Sequence, residues 1–537
     1  MRSPKISCNS YRRSCYTAKT VKPEIGTNQE VAAQGKFEID ATASKQSLKF
    51  KAAGGAIVTI ATQTTRFLVQ IASTILLARL LAPEDFGIYA MTAPVVAIIN
   101  LIKDLGLTQA IVTSPTISKP LLSAMFYVNL ALSVGIAAVI ALAAPLVATF
   151  YDNDGVISVV QFVALGVAMN GTSSVHRAIL TRDLRFGTLG RIEVVSAALG
   201  VLAGLAHAWI APSALAIATV NVVTGFVQLV QSWTTTRWMP GRPGNRVRVL
   251  EMLKFGGGLT GFNFTNFFAR NADNVIIGKF IGAGPLGYYD RAYKLMLMPL
   301  QQINGPAGRV MIPIMSRLMN EPARYRFAYL RSLRILLLVT MPIVCFCIAS
   351  AYELIPFLLG PQWTAASDVF VWLSIAALHQ PLTATIGWLF ITQNRTGEFA
   401  RWGVVNAVTC VMAFMAGLPW GVVGVAAAYA ISDLVVRMPA VWWYVGRKGP
   451  VGTRDLFQLG LVYGTTALLV LSGLLLLRMG LLAIGWPVIL ILVTMACAAC
   501  ALYWCIIALT ASGRATIGEG IELVVQQFRK RFAQRRV

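Results

Sequence analysis

The chain has 537 residues, 56% of them hydrophobic and only 13% charged. Soluble domains carry about 25% charged residues, so a water-facing globule is excluded. General disorder is excluded too, because it needs a chain poor in apolar residues. With a mean hydropathy of +0.66, the sequence reads as an all-α polytopic membrane protein.

The 46 Lys and Arg exceed the 22 Asp and Glu by 24. In a soluble protein this excess would suggest nucleic acid. Here it follows membrane topology, and no nucleic-acid partner is expected.

Residues 1–51 are polar and lack the apolar stretch of a cleaved signal, so they read as a disordered basic cytoplasmic tail. From Gly54 onward, apolar runs of span length follow one another with short breaks. Spans are expected at 54–78, 86–106, 121–149, 156–178, 189–210, 212–235, 255–281, 287–312, 332–359, 366–392, 400–418, 421–444, 456–477 and 481–510. That makes about 14 helices, each long enough to cross a ~30 Å hydrocarbon layer.

With the N-terminus inside and strict alternation, the inside loops collect the cations. They hold Arg182 and Arg185, Arg237 and Arg242, Arg324 and Arg326, and Arg447 and Lys448. The loop 151–155 on the other side is purely acidic. An odd helix count would break this bias, so both termini are expected in the cytoplasm. The expected organisation is a tail at 1–51, a six-helix lobe at 52–236, a basic cytoplasmic linker at 237–254, a second six-helix lobe at 255–450, and two additional helices at 451–510. A basic amphipathic tail at 511–537 lies on the inner surface.

The two lobes carry a repeat. Residues 75–89 align with 276–289 at an offset of 200, pairing Gly87 with Gly287 and Tyr89 with Tyr289. Six spans per repeat keep the same orientation, so the repeats are parallel and related by an axis along the membrane normal. Such a transporter holds its substrate path between the halves.

Charges at bilayer depth are costly and point to a cavity or a partner. Arg66 in the first span has no acidic neighbour within one turn. Arg270, Asn271 and Asp273 fall in the seventh span, and Asp290, Arg291 and Lys294 in the eighth. Lys103 with Asp104, and Arg191 with Glu193, sit nearer the inner surface and can pair or snorkel there. A cationic cavity is therefore expected, with Arg66, Arg270, Arg291, Lys294 and Asn271 binding an anionic substrate such as a pyrophosphate. Asp273 and Asp290 are candidates for coupling or gating. Pro299 and Pro306, with Pro313, recur every seven residues and are expected to bend the eighth span. No catalytic residue, metal site or cofactor is expected. Cys497 and Cys500 spell C-x-x-C inside an apolar run with no His or carboxylate beside them.

Four stretches carry a resemblance: LLARLLAPEDFGIYAM (76–91), RAILTRDLRFGTLGRIE (177–193), NADNVIIGKFIGAGPLGYYDRAYKL (271–295) and LLGPQWTAA (358–366). Over about 52–450 the chain resembles Wzx-type polysaccharide flippases, in particular the WzxC-like branch of the MOP superfamily. That superfamily also holds MATE exporters and the lipid II flippase. The resemblance implies two six-helix lobes around a central cavity plus two C-terminal helices. It implies translocation of undecaprenyl-diphosphate-linked oligosaccharide across the bacterial inner membrane, for exopolysaccharide or lipopolysaccharide synthesis. Expected partners are that lipid-linked substrate, membrane lipids, H+ or Na+, and the polysaccharide polymerase and export machinery. The alternatives are a MATE-like small-molecule exporter and, behind it, a membrane glycosyltransferase or polymerase. The enzymes generally carry a long outside loop, which this chain lacks.

Overall fold

The computed structural model describes residues 36–37, 45–97, 111–112, 117–244, 271–510, 513–515, 517–518 and 522. In the first half, helix α1 spans Lys45–Leu80, α2 Pro83–Met91, α3 Lys119–Tyr151, α4 Gly155–Arg182, α5 Phe186–Ile210 and α6 Ala214–Thr236. The second half opens with helical residues 271–280. It continues with α7 at Ala283–Arg317, α8 at Pro322–Ala349, α9 at Ala351–Leu359, α10 at Ala366–Ala377, α11 at Gln380–Thr392, α12 at Thr396–Gly417, α13 at Gly421–Ser432 and α14 at Met438–Gly446. Two further helices, α15 at Thr453–Ile484 and α16 at Val488–Leu509, pack on each other and on α8. A two-residue antiparallel rung pairs Lys36–Phe37 with Ile117–Ser118.

This is a multi-pass membrane protein. Among the described residues, eight helices are long and apolar enough to cross a membrane, or nine if the bent pair α10–α11 is one span. The two long helices α1 and α7, of 36 and 35 residues, are not among them. Their length reaches across a bilayer, at about 50 Å each, but polar residues interrupt the apolar run.

Several expected spans have different shapes. The expected tail at 1–51 gives way to helix from Lys45, because the polar residues before Gly54 continue the first span as helix. The span expected at 332–359 is broken at Ser350 into α8 and α9. The span at 366–392 bends by 42° between α10 and α11. There Pro381 begins the new helix, where its missing N–H costs nothing. The span at 421–444 contains a π-helical turn, Asp433–Arg437, just before Pro439. By contrast, the span expected to bend at its prolines is one continuous helix, α7, with Pro299, Pro306 and Pro313 inside it.

Residues 237–244, expected as linker, instead fold back onto α3. The Gly241 amide donates to Ser123 Oγ (2.9 Å) and the Gly244 amide to the Pro120 carbonyl (3.1 Å). Of the expected amphipathic tail, Ile517 is partly buried against the hydrophobic core of the second half. Phe528, Phe532 and the tail arginines beyond Arg514 lie outside the described residues, as do Lys103 and Asp104.

Candidate functional site

Two polar faces run along α1 and α7. On α1, Gln63, Thr64, Thr65 and Arg66 are exposed. The Thr64 and Thr65 hydroxyls return to the carbonyls of Ile60 and Ala61, each at 3.0 Å. On α7, Lys294, Gln301, Gln302, Gly305, Pro306 and Arg309 are exposed. Each proline lacks the N–H that would bond the carbonyl four residues earlier. A freed carbonyl is tolerated in a membrane only beside protein or water. Both helices therefore suit the wall of a wet cleft.

The two halves meet at one end. The N-terminal turns of α2 and α7 cross so closely that a Cβ on Gly87 would overlap the Ala283 carbonyl, and a Cβ on Gly287 the Pro83 carbonyl. These two contacts exchange under the 200-residue offset, as in a twofold interface built within one chain. Only glycine permits this backbone approach. Around it, the Trp363 indole N–H and the Gln362 amide both donate to the Ala78 carbonyl at 2.8 Å. Arg79 donates to the carbonyls of Phe357 (2.6 Å) and Leu358 (3.2 Å). Lys279 pairs with Asp152 at 2.6 Å. Phe86 and Trp363, both wholly buried, meet edge to face at 5.2 Å. Five hydrogen bonds join described residues of the two halves at this end.

One turn deeper sit buried charges. Asp290 lies 2.6 Å from Arg291 and 2.7 Å from Lys294. The Arg291 guanidinium stacks over the Phe86 ring of the other half, 4.5 Å from its centre. Asp273 is buried and accepts from the Asn274 amide at 2.8 Å. Asn271 is half-buried at the start of the same described helical stretch. A second cluster occupies the π-turn. His379 Nε2 lies 2.5 Å from Asp433, which also pairs with Arg437 at 3.0 Å. The Arg437 guanidinium covers the Tyr429 ring at 4.5 Å.

The expected site residues thus divide. Arg291 and Asp290 form a buried pair that the exposed Lys294 joins from the rim, and Asp273 is buried nearby. Arg66 stands apart and pairs with Glu193 of α5 at 3.0 Å, with half its side chain exposed. Pro306 is exposed on the α7 face and Pro299 is half-buried. Arg270 lies outside the described residues. Arg66, Arg291, Lys294 and Arg437 each have a carboxylate within 3.0 Å, but Arg291 and Lys294 share Asp290, so the positive excess expected from the sequence is reduced there and not cancelled. Sequence reasoning missed the His379–Asp433–Arg437 cluster. Its one signal is the i,i+4 pair Asp433 and Arg437 within an apolar run. It also missed Arg309, hidden in the proline-spaced segment.

The sequence profile of a polysaccharide biosynthesis protein family matches residues 76–368. The chain is 21% identical over 368 residues to the lipopolysaccharide biosynthesis protein WzxC of Escherichia coli (strain K12), covering 67% of this chain and 74% of that protein. The lipid II flippase MurJ in an inward closed conformation superposes with a TM-score of 0.65 at 11% identity, covering 84% of this chain and 98% of that one. An inward-facing multidrug resistance MATE transporter of the MOP superfamily gives 0.55 at 15% identity, covering 75% and 99%. At such identities the two structures establish the shared transporter fold and nothing finer.

Proposed function

The chain belongs to the polysaccharide biosynthesis protein family, and from that premise we propose that it flips undecaprenyl-diphosphate-linked oligosaccharide units from the inner to the outer leaflet of the bacterial inner membrane. One observation supports this most: two repeat-related halves close on each other through glycine-to-backbone contact where α2 and α7 cross, with the polar helices α1 and α7 beside the junction. That is the geometry of alternating access, in which one end seals while the other admits substrate.

Sidedness follows from the cations. Arg182, Arg237, Arg242, Arg447 and Lys448 lie at the end opposite the seal, which makes that end cytoplasmic and puts both termini inside. The halves, 52–236 and 255–450, act as the moving lobes, with 451–510 as an attached pair.

In this scheme Arg66, Arg270, Asn271 and Lys294 line the cleft and receive the diphosphate and acidic sugars. Arg291 and Asp290 lock the seal, and Asp273 lies behind it. Arg291 thus moves from the substrate-binding group to the gate, because its guanidinium is spent on Asp290 and the Phe86 ring. Pro299 and Pro306 leave α7 short of backbone hydrogen bonds where it must flex. Arg66 exchanges Glu193 for the substrate's phosphate. H+ or Na+ supplies coupling, and the polymerase and export machinery take the product. The chain acts as a transporter, not as a glycosyltransferase.

The test is a mass-spectrometric profile of lipid-linked saccharides in a deletion strain. Complete diphosphate-linked repeat units should accumulate in the inner leaflet, with loss of surface polysaccharide. Truncated units would identify a glycosyltransferase instead, and an unchanged profile would favour the exporter.

A further inference from the structure

Residues 237–244 form an ordered strap at the end of α6, and the strap builds a cavity. Trp238 is buried beside Phe126, His176 and Trp233, with paired ring centres 4.5–6.0 Å apart within this group. His176 Nε2 lies 3.3 Å from the Trp238 carbonyl. With the two amide tethers to Ser123 and Pro120, this fixes the strap across the first turn of α3. The pocket is open on one side and has a volume of about 530 Å³. Among the described residues its charged lining is Lys119, Arg237 and Arg242, with no carboxylate, and Met239 and Trp238 supply apolar wall.

Three like charges converging on one cavity repel unless an anion joins them. Among the described residues none of the three is in an ion pair. Arg237 is also held at φ 50°, a left-handed backbone that a side chain adopts at a cost. Glycine would relieve that strain, yet the position carries a guanidinium aimed into the cavity lining.

The place of the cavity decides what reaches it. Among the helices, α3 packs chiefly against α4, and its contacts with the other lobe lie at its far end, where Lys279 pairs with Asp152 and covers the Phe150 ring. The exposed apolar residues of α3, such as Val139, Leu142 and Leu146, face lipid. The cavity opens at the polar end of this lipid-facing helix, at headgroup depth. Met239, 73% exposed, stands at its rim. We propose that this cavity is a binding site for the phosphate of an anionic phospholipid headgroup, such as phosphatidylglycerol, taken from the surrounding leaflet. The site lies outside the cleft and does not rest on the flippase reading. Basic pockets between membrane helices bind anionic headgroups at about 1 kcal/mol per cation.

The experiment is native mass spectrometry of the full-length protein in detergent, titrated with phosphatidylglycerol or phosphatidylcholine. Wild type should retain phosphatidylglycerol in preference. Arg237→Gly should weaken that retention about fivefold, and removing all three cations with Lys119→Ala and Arg242→Ala about a hundredfold. Arg237→Gly suits the backbone better than arginine, so its fold is secure and it decides the matter alone if the triple variant does not purify. Arg242→Lys should retain binding. Equal retention by wild type and Arg237→Gly would overturn the proposal, and so would equal affinity for the two lipids. Competition by millimolar inorganic phosphate would keep the phosphate chemistry but overturn the lipid as its source.

Discussion

Ala90 and Met91 in the first half stand where Asp290 and Arg291 stand in the second, one turn beyond the glycine that each half presses against the other. Up to that turn the two hairpins match. Gly87 meets Ala283, Gly287 meets Pro83, and Phe86 and Leu286 are both wholly buried. Beyond it, the first half continues with small and apolar side chains and the second with an ion pair that reaches across to Phe86. Duplication fixed the backbone approach because only glycine on both sides allows it. The chemistry was free to diverge, and it lies in one half. The buried charge of the seal belongs to α7, not to the symmetric junction.

The largest effect that would break this comparison comes from Asp290→Ala. It leaves Arg291, 7% exposed, without its carboxylate, a loss of about 3–5 kcal/mol. Thermal unfolding in detergent should show it clearly. Adding Arg291→Met makes the second hairpin a copy of the first at these two positions. Most of the stability should return, because removing both partners of a buried pair is close to neutral. Lys294 keeps a route to water. Export should stay lost. If the double variant were no more stable than Asp290→Ala, the ion pair would not be what distinguishes the halves.

Next in size is the glycine contact itself. Gly287→Val puts branched carbon against the Pro83 carbonyl, with about 1–3 kcal/mol of overpacking, while Gly135→Val, in open space, should change little. The strain falls on the sealed state alone, so the population shifts about 10- to 100-fold towards open. Ala90→Cys, fully buried in the seal, should become reactive to an impermeant maleimide only when combined with Gly287→Val. Unchanged labelling would mean that the glycines pack the fold without gating it. A smaller effect is expected of Trp363→Phe. It removes one hydrogen bond to the Ala78 carbonyl, about 1 kcal/mol, and keeps the edge-to-face ring. The melting temperature should fall by a few degrees at most.

The repeat was legible because glycine and tyrosine recur at a fixed offset, and a backbone approach must be written as glycine in both copies. Membrane character and most spans were legible because lipid demands continuous apolar runs. The breaks at Ser350 and at Asp433–Arg437 were not. They depend on partners from other helices, such as Arg478, which holds Glu353 of α9 at 2.7 Å from across 125 residues. The strap at 237–244 looked like linker because its composition is polar and Gly/Pro-rich. What orders it is Trp238 finding the rings of Phe126 and His176 from two other helices. Charge was legible by residue but not by pairing: Arg66 and Glu193 are 127 residues apart, beyond the reach of any helical periodicity.

That pairing gives the finest test, because it separates a structural arginine from one that meets substrate. Arg66 and Glu193 are half-exposed and about a quarter exposed, so the pair adds roughly 0–1 kcal/mol. Arg66→Ala and Glu193→Gln should both leave unfolding almost unmoved. Their export phenotypes should differ. If Arg66 only anchors α1 to α5, either change breaks the same contact and both variants export alike. If Arg66 releases Glu193 to take the diphosphate, Arg66→Ala stops export while Glu193→Gln retains it, because a guanidinium freed of its carboxylate is better placed to bind the incoming phosphate. Restored export in Arg66→Lys would show that a point charge suffices. Failure of that variant would show that the bidentate fork is what the substrate uses.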